Sequence, residues 1–160
     1  MTMHKYWWED FQPGCERVTH SVEVTREEIV ELARRYDPQR FHVDEEAAKQ
    51  TMFGGLIASG WMTASLSMRL MCDAYLLDSA SLGSPGLEEL KWLKPVRPGD
   101  VLHVRTTVLE ARPMESRPDV GLAKSRMETL NQRGEVVLRM EGWGMYRRRP
   151  APAPATPSAG

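Results

Sequence analysis

The residue types best suited to chemistry in this chain are an acid and an imidazole five positions apart. Asp37 and His42 belong to the segment YDPQRFHVD at positions 36–44. A histidine side chain has an unperturbed pKa near ~6.5, so it exchanges protons close to neutral pH. The segment FGGLIASG at 53–60 follows and leads into a long apolar run. Together these features predict a site that activates a water molecule and polarises a carbonyl group.

Short helices are predicted on both sides of this acid and histidine. Thr25 and Glu28 form a capping-box pattern that predicts a helix start. That helix should end at Tyr36, because Pro38 disfavours helical geometry for Asp37. Asp44 is expected to cap a second, short helix that runs to residue 49. Residues 39–43 are then predicted to form a constrained loop, with Asp37 at a helix exit.

A longer helix is predicted to begin near Gly60. Apolar residues dominate from position 61 to position 77, and Arg69 and Asp73 are the charged interruptions. A helix that is apolar nearly all round is expected to be buried. The run is short for a membrane span, so the prediction is a central helix with other elements wrapped around it.

Strands are predicted before and after the helical region. Valines at even spacing indicate one early strand, and loops are expected at 79–86 and 112–121. The segment NQRG at 131–134 is typical of a hairpin turn. The predicted strands are 15–24, 87–96, 101–109, 122–130 and 136–146. Strands packed on one long helix indicate the α+β class.

The composition is that of a globular protein without strong charge. The 160 residues carry a formal net charge of −1 and 41% hydrophobic content, which argues against nucleic acid and anionic membranes as partners. Cys15 and Cys72 show no metal-ligand spacing, and the N-terminus lacks the apolar core of a signal peptide. We therefore expect a cytoplasmic protein with one domain over residues 1–146. Residues 147–160 are expected to form a flexible, low-complexity tail.

The segments at 36–44 and 53–60 resemble the hydratase motif of the MaoC-like dehydratases, the (R)-specific enoyl-CoA hydratase family. The family pattern is an Asp, any residue, Asn-Pro, an apolar residue, then His and an acid. The order of the predicted elements is also similar over about residues 10–146. The resemblance implies a hot-dog fold, in which a curved antiparallel sheet wraps around a long central helix.

The resemblance also implies the chemistry. It identifies Asp37 and His42 as the catalytic pair that adds water to a 2-enoyl thioester. Ser59, Gly60 and Trp61 are the matching oxyanion and substrate-binding positions, with the Gly60 amide facing the thioester oxygen. The substrate would be a coenzyme A thioester, without a metal or other cofactor. Hot-dog domains usually pair, so a homodimer or a higher homo-oligomer is expected.

The sequence departs from the family pattern at three places. Gln39-Arg40 replaces Asn-Pro, with the proline moved to Pro38, although the spacing from Asp37 to His42 is kept. Ser59 stands where the family often has histidine, and a supporting serine further along the helix is replaced by Met68, with Ser65 and Ser67 nearby. These changes bear on acyl specificity and rate.

Other functions remain open at this point. A hot-dog thioesterase would carry an acid near the start of the central helix, whereas here Asp73 lies far along it. A non-catalytic protein that binds acyl thioesters would keep Gly60 and the pocket but show no turnover. Arg147, Arg148 and Arg149 are either a solvated start of the tail or a site for coenzyme A phosphates. His42 and Asp44 lack further ligands at metal-binding spacing.

Overall fold

Six antiparallel strands form a curved sheet against one central helix in the computed structural model, which describes residues 3–152 and 154. The strands are β1 (Glu16–Val18), β2 (Val22–Glu23), β3 (Ser81–Trp92), β4 (Val101–Met114), β5 (Arg117–Leu130) and β6 (Val136–Arg147). The spatial order is β1-β4-β5-β6-β3, and β2 also pairs with β4. The predicted α+β class and the layout of a sheet around a helix are confirmed.

Four helices lie between β2 and β3. They are α1 (Arg26–Tyr36), α2 (Arg40–Val43), α3 (Glu45–Lys49) and α4 (Gly60–Met71). The predicted capping box of α1 is present, since Thr25 accepts from the Glu28 amide and Glu28 accepts from the Thr25 amide. Asp44 caps α3 as predicted, by accepting from the amides of Glu46 and Ala47. The starts of α1 and α3 that these caps predict are therefore confirmed.

The central helix α4 carries much of the core. Its buried side chains include Met62, Leu70 and Met71, which pack with Leu102, Val104 and Leu138 of the sheet. The helix continues as a short π-helix, Cys72–Leu76. The prediction that it is buried nearly all round is wrong, because Trp61 and Met68 lie on an exposed face. One side of α4 is thus open in the single chain.

Several predicted loops are strands or helix. The predicted early strand is two short strands, and residues 40–43 of the predicted loop form α2. Strand β3 begins at Ser81, inside the predicted loop 79–86, and ends at Trp92. Strands β4 and β5 likewise extend through most of the predicted loop 112–121. For β3, β4 and β5, pairing with the neighbouring strand overrides local turn signals from glycine and proline.

The hairpin predicted at 131–134 is confirmed, although its asparagine and its glycine act differently. Only Gly134 adopts a left-handed backbone conformation, with φ of 73°. Asn131 instead accepts hydrogen bonds from the backbone amides of Arg133 and Glu135 through its side-chain oxygen. The hairpin thus depends on one glycine and one side-chain acceptor.

The C-terminal end of the described chain is tied to the N-terminal region. Strand β6 extends to Arg147, Arg148 pairs with Glu9 and Arg149 pairs with Asp10. Much of the predicted tail, residues 153 and 155–160, lies outside the described residues. No helix among the described residues has the length and apolar character needed to cross a membrane.

Candidate active site

Asp37 and His42 meet at one wall of an open cleft. The carboxylate oxygen Oδ2 of Asp37 lies 3.3 Å from Nε2 of His42. The cleft has a volume of about 510 Å³, and its lining includes both residues together with Phe53, Gly60 and Trp61. The structure therefore brings the predicted acid and imidazole together and opens them to a ligand.

The orientation of His42 is fixed by a backbone carbonyl. Its side chain is 5% exposed, and Nδ1 lies 2.7 Å from the carbonyl oxygen of Ile57. Because a carbonyl oxygen only accepts hydrogen bonds, Nδ1 carries the hydrogen. Nε2, which faces Asp37, is then the nitrogen that can gain or lose a proton. A second hydrogen bond joins the same two segments, since the Ile57 amide donates to the carbonyl of Phe41, the residue before His42.

Asp37 follows the last residue of α1, and three polar neighbours surround its carboxylate. The Ser59 hydroxyl donates to Oδ2 at 2.7 Å, and the Gln39 amide donates to Oδ1 at 2.8 Å. The Ser59 hydrogen bond, then the Gln39 hydrogen bond and the nearby His42, lower the pKa of Asp37 below its ordinary value, against the opposing effect of burial. The acid is therefore held as a carboxylate at neutral pH.

Ser59 is fully buried at the amino end of α4. Its hydroxyl accepts from the Trp61 amide at 3.3 Å while it donates to Asp37. The single hydroxyl hydrogen is thus committed to the acid. Ser59 was predicted as an oxyanion or substrate-binding position, and the structure places its hydroxyl on Asp37.

Gly60 starts α4 and lines the cleft. Among the described residues its backbone amide has no hydrogen-bond acceptor. A Cβ at this position would lie 2.8 Å from Cδ2 of Trp92 and closer still to Nε1 and Cε2. A larger residue would therefore displace the indole of Trp92, which packs on the first turn of the helix.

The opposite wall of the cleft was not found from the sequence. It is formed by the end of β3 and the residues after it, 92–96, and Trp92 contacts Trp61 edge to face at 5.1 Å between ring centroids. Lys94 of this wall pairs with Glu135. Hydrogen bonds from Lys94, and then from Arg133 and Asn131, lower the pKa of Glu135 to about 2. No motif marks these residues, because only pairing of β3 with β6 brings them beside α4.

The remaining sequence candidates lie elsewhere. Asp73 is in the short π-helix after α4 and pairs with Arg69 of α4. It does not line the cleft. Met68 and Ser65 are exposed, and the buried hydroxyl of Ser67 contacts Thr129. Within residues 3–152 and 154 no three His, Cys, Asp or Glu side chains are grouped as metal ligands.

Comparison with known proteins supports the pattern read from the sequence. The family described as MaoC like domain matches residues 10–129. The Uncharacterized protein YdeM of Bacillus subtilis is 31% identical over 133 residues, which cover 83% of this chain and 93% of that protein. The Mesaconyl-CoA hydratase of Cereibacter sphaeroides is 43% identical over 76 residues, 45% of this chain but only 22% of that enzyme.

A solved structure extends the likeness to the whole fold. The MaoC-like dehydratase from Rhodospirillum rubrum is 45% identical and superposes with a TM-score of 0.84, covering 91% of this chain and 99% of that one. The sheet wrapped around a central helix is the hot-dog fold of these proteins. With the match over residues 10–129, this establishes that the chain belongs to the MaoC-like domain family.

Proposed function

We propose that this protein is a hydratase that interconverts a 2-enoyl thioester of coenzyme A and the 3-hydroxyacyl thioester. The observation that carries the proposal is the approach of His42 Nε2 to Asp37 Oδ2, at 3.3 Å, on the wall of the cleft. A titratable nitrogen beside a carboxylate is the arrangement that general acid–base catalysis on water requires. The mesaconyl-CoA hydratase among the relatives is, by its name, a hydratase of a coenzyme A thioester, which supports the proposed reaction class.

In the proposed reaction His42 transfers the proton. Its Nε2 removes a proton from water as the water oxygen bonds to C3 of the enoyl group. The π electrons of the C2–C3 double bond form a C1–C2 double bond while the π electrons of the carbonyl move to the thioester oxygen, and an enolate forms. The Nε2–H then delivers the proton to C2, which restores the neutral imidazole. Water is added across the double bond, and dehydration follows the same steps in reverse.

Asp37 orients this water and stabilises the charged histidine. Because hydrogen bonds from Ser59 and Gln39 favour its ionised form, Asp37 remains a carboxylate that accepts from the water. While His42 carries the extra proton, the carboxylate at 3.3 Å stabilises the imidazolium. Positioned acid–base groups typically accelerate proton transfer by ~10²–10⁴-fold.

We propose that the Gly60 amide donates a hydrogen bond to the enolate oxygen. This amide is the first of α4, so it lies at the positive end of the helix dipole. It has no acceptor in the described part of the chain. A donor that meets the developing oxyanion is worth about 2.7–4 kcal/mol of transition-state stabilisation. The thioester would therefore lie with its oxygen toward Gly60 and C3 toward His42. The reaction as proposed needs no metal or redox cofactor.

We further propose that two copies pair along β3. This strand is at the edge of the sheet, and large apolar side chains are exposed on it, directly after it and on the open face of α4. We call Trp61, Met68, Leu87, Trp92 and Leu93 the edge patch. The contact between Trp61 and Trp92 makes the helix and strand parts of this patch continuous. Exposed strand edges with apolar neighbours favour pairing with another chain.

The direct test is the loss of enoyl-thioester absorbance when the purified protein meets short, medium and branched trans-2-enoyl-CoA substrates. We expect turnover with at least one chain length, and the product to be the 3-hydroxyacyl thioester. A protein that binds these esters without turnover on any of them would overturn the hydratase proposal. It would instead support a non-catalytic acyl-thioester binding protein.

A further inference from the structure

The hydroxyl of Ser59 joins the two segments that carry the acid and the proposed oxyanion donor. It belongs to the residue before α4, whereas Asp37 is the residue after α1. The bond of 2.7 Å ends on Oδ2, the same carboxylate oxygen that faces Nε2 of His42. Ser59 therefore touches the acid at the atom that matters for the proton-transfer geometry.

Among the described residues no other side chain donates a hydrogen bond to Oδ2 except His42, which faces it at 3.3 Å. Gln39 holds the opposite oxygen, Oδ1, and is itself exposed. Ser59 has no solvent exposure, so the position that its hydroxyl occupies is closed to bulk water. If the hydroxyl were lost, Oδ2 would keep His42 as its one partner in the described part of the chain, and the carboxylate could rotate about its terminal torsion, which is broad.

We propose that Ser59 is a positioning residue for the proton-transfer step, and that it holds Asp37 Oδ2 toward His42 Nε2. The inference rests on the proposed hydratase function, but it also predicts a property of Asp37 that can be measured without turnover. The role differs from that of an oxyanion donor, since the only hydroxyl hydrogen of Ser59 is directed at Asp37. It also differs from that of a helix cap alone, although the same hydroxyl accepts from Trp61.

Three substitutions separate these roles. Ser59→Gly keeps a residue that is tolerated at a helix N-cap, but it removes the hydroxyl. Ser59→Thr keeps the hydroxyl. Thr25→Ala removes the cap of α1 and leaves Ser59 in place. Each variant is measured as the full chain, with thermal unfolding to confirm that it folds.

For Ser59→Gly we expect kcat to fall by up to ~10²-fold with little change in KM, since misplacement of a reacting group by about 1 Å has an effect of that size. The acid limb of its kcat–pH profile should move to higher pH. Ser59→Thr should restore both the rate and the profile. Thr25→Ala should leave the pH profile of the wild type unchanged.

A carboxyl titration followed by ¹³C NMR keeps the test independent of activity. The Asp37 signal should titrate at higher pH in Ser59→Gly than in the wild type and in Ser59→Thr. If Ser59→Gly shows the wild-type titration and the wild-type pH profile, the positioning role is refuted. If the wild type is inert on all enoyl thioesters, the proposed function fails, whereas the titration still decides whether Ser59 holds Asp37.

Discussion

At the scale of single residues, the candidate site depends on hydrogen bonds that orient Asp37 and His42 toward each other, one of them from Ser59 to the same oxygen of Asp37 that faces His42. Nδ1 of His42 is committed to the Ile57 carbonyl, and Oδ1 of Asp37 to Gln39. Nε2 and Oδ2 are consequently the atoms that face each other. The types and spacing of Asp37 and His42 could be read from the sequence. Their fixed orientation could not, because the Ile57 carbonyl is a backbone group that any residue would supply.

Stability should respond to pH through Asp37. Its pKa in the folded protein is below the unfolded value of ~3.9, so its ionised form contributes stability above that pH. This contribution is lost as pH falls through the folded pKa. In Ser59→Gly the folded pKa rises toward the unfolded value, so the unfolding free energy should decline less steeply with acid below pH ~4. Urea unfolding across this range measures the slope, and equal slopes in the two proteins would contradict the account.

Gly60→Ala should displace Trp92. Alanine in the first turn of a helix is otherwise favourable by up to about 1 kcal/mol over glycine, but its Cβ would overlap the indole ring. Since Trp92 is partly exposed, we expect the ring to move outward, with a loss of stability no larger than the ~1–3 kcal/mol typical of overpacking. Tryptophan fluorescence and thermal unfolding report the change. A second variant, Gly60→Ala with Trp92→Ala, should recover the lost stability.

At the scale of elements, the site forms where the exit of α1 meets the start of α4. Thr25, Pro38 and Asp44 fix the ends of α1 and α3 through local rules, which is why these ends could be predicted. The start of β3 could not be predicted, because the glycines and the proline at 83–86 are turn signals. In the structure these residues form bulges within the pairing of β3 with β6. Long-range pairing decides what local chemistry leaves ambiguous.

Thr25→Ala should destabilise the chain without slowing the reaction of the folded protein. The variant loses the hydroxyl that accepts from the Glu28 amide, and N-cap losses cost about 0.5–2 kcal/mol. Asp37 remains held by Ser59 and Gln39 at the other end of α1. Denaturant unfolding measures the loss, and the assay at a temperature well below the transition checks the rate. A large loss of rate in fully folded protein would show that the α1 start controls the site.

At the scale of the whole molecule, the single chain leaves the edge patch unpaired beside the cleft. Trp61 and Trp92 belong both to this patch and to the cleft lining. The prediction of a helix buried nearly all round was wrong here, because an apolar pattern indicates burial in general. It does not distinguish burial in the chain from burial against a second copy.

Leu87→Asp should shift the protein from dimer to monomer. Leu87 is 47% exposed on the edge strand, and a charge there would be buried at the proposed interface. Leu77→Asp is the matched control, because Leu77 is 72% exposed and lies beyond the end of α4, outside the edge patch. Sedimentation velocity over a range of concentrations compares the two variants. A monomeric wild type, or a dimer that tolerates Leu87→Asp, would refute pairing along β3.

The most direct test of the central claim compares Asp37→Asn and His42→Gln with the wild type in the enoyl-thioester assay. Matched controls are Asp119→Asn and His20→Gln, the same chemical changes at exposed positions outside the cleft. The account predicts that both site variants lose ~10²–10⁴-fold in kcat while they remain folded, and that both controls keep the wild-type rate. If either site variant turns over the substrate as fast as the wild type, Asp37 and His42 do not carry the chemistry as proposed.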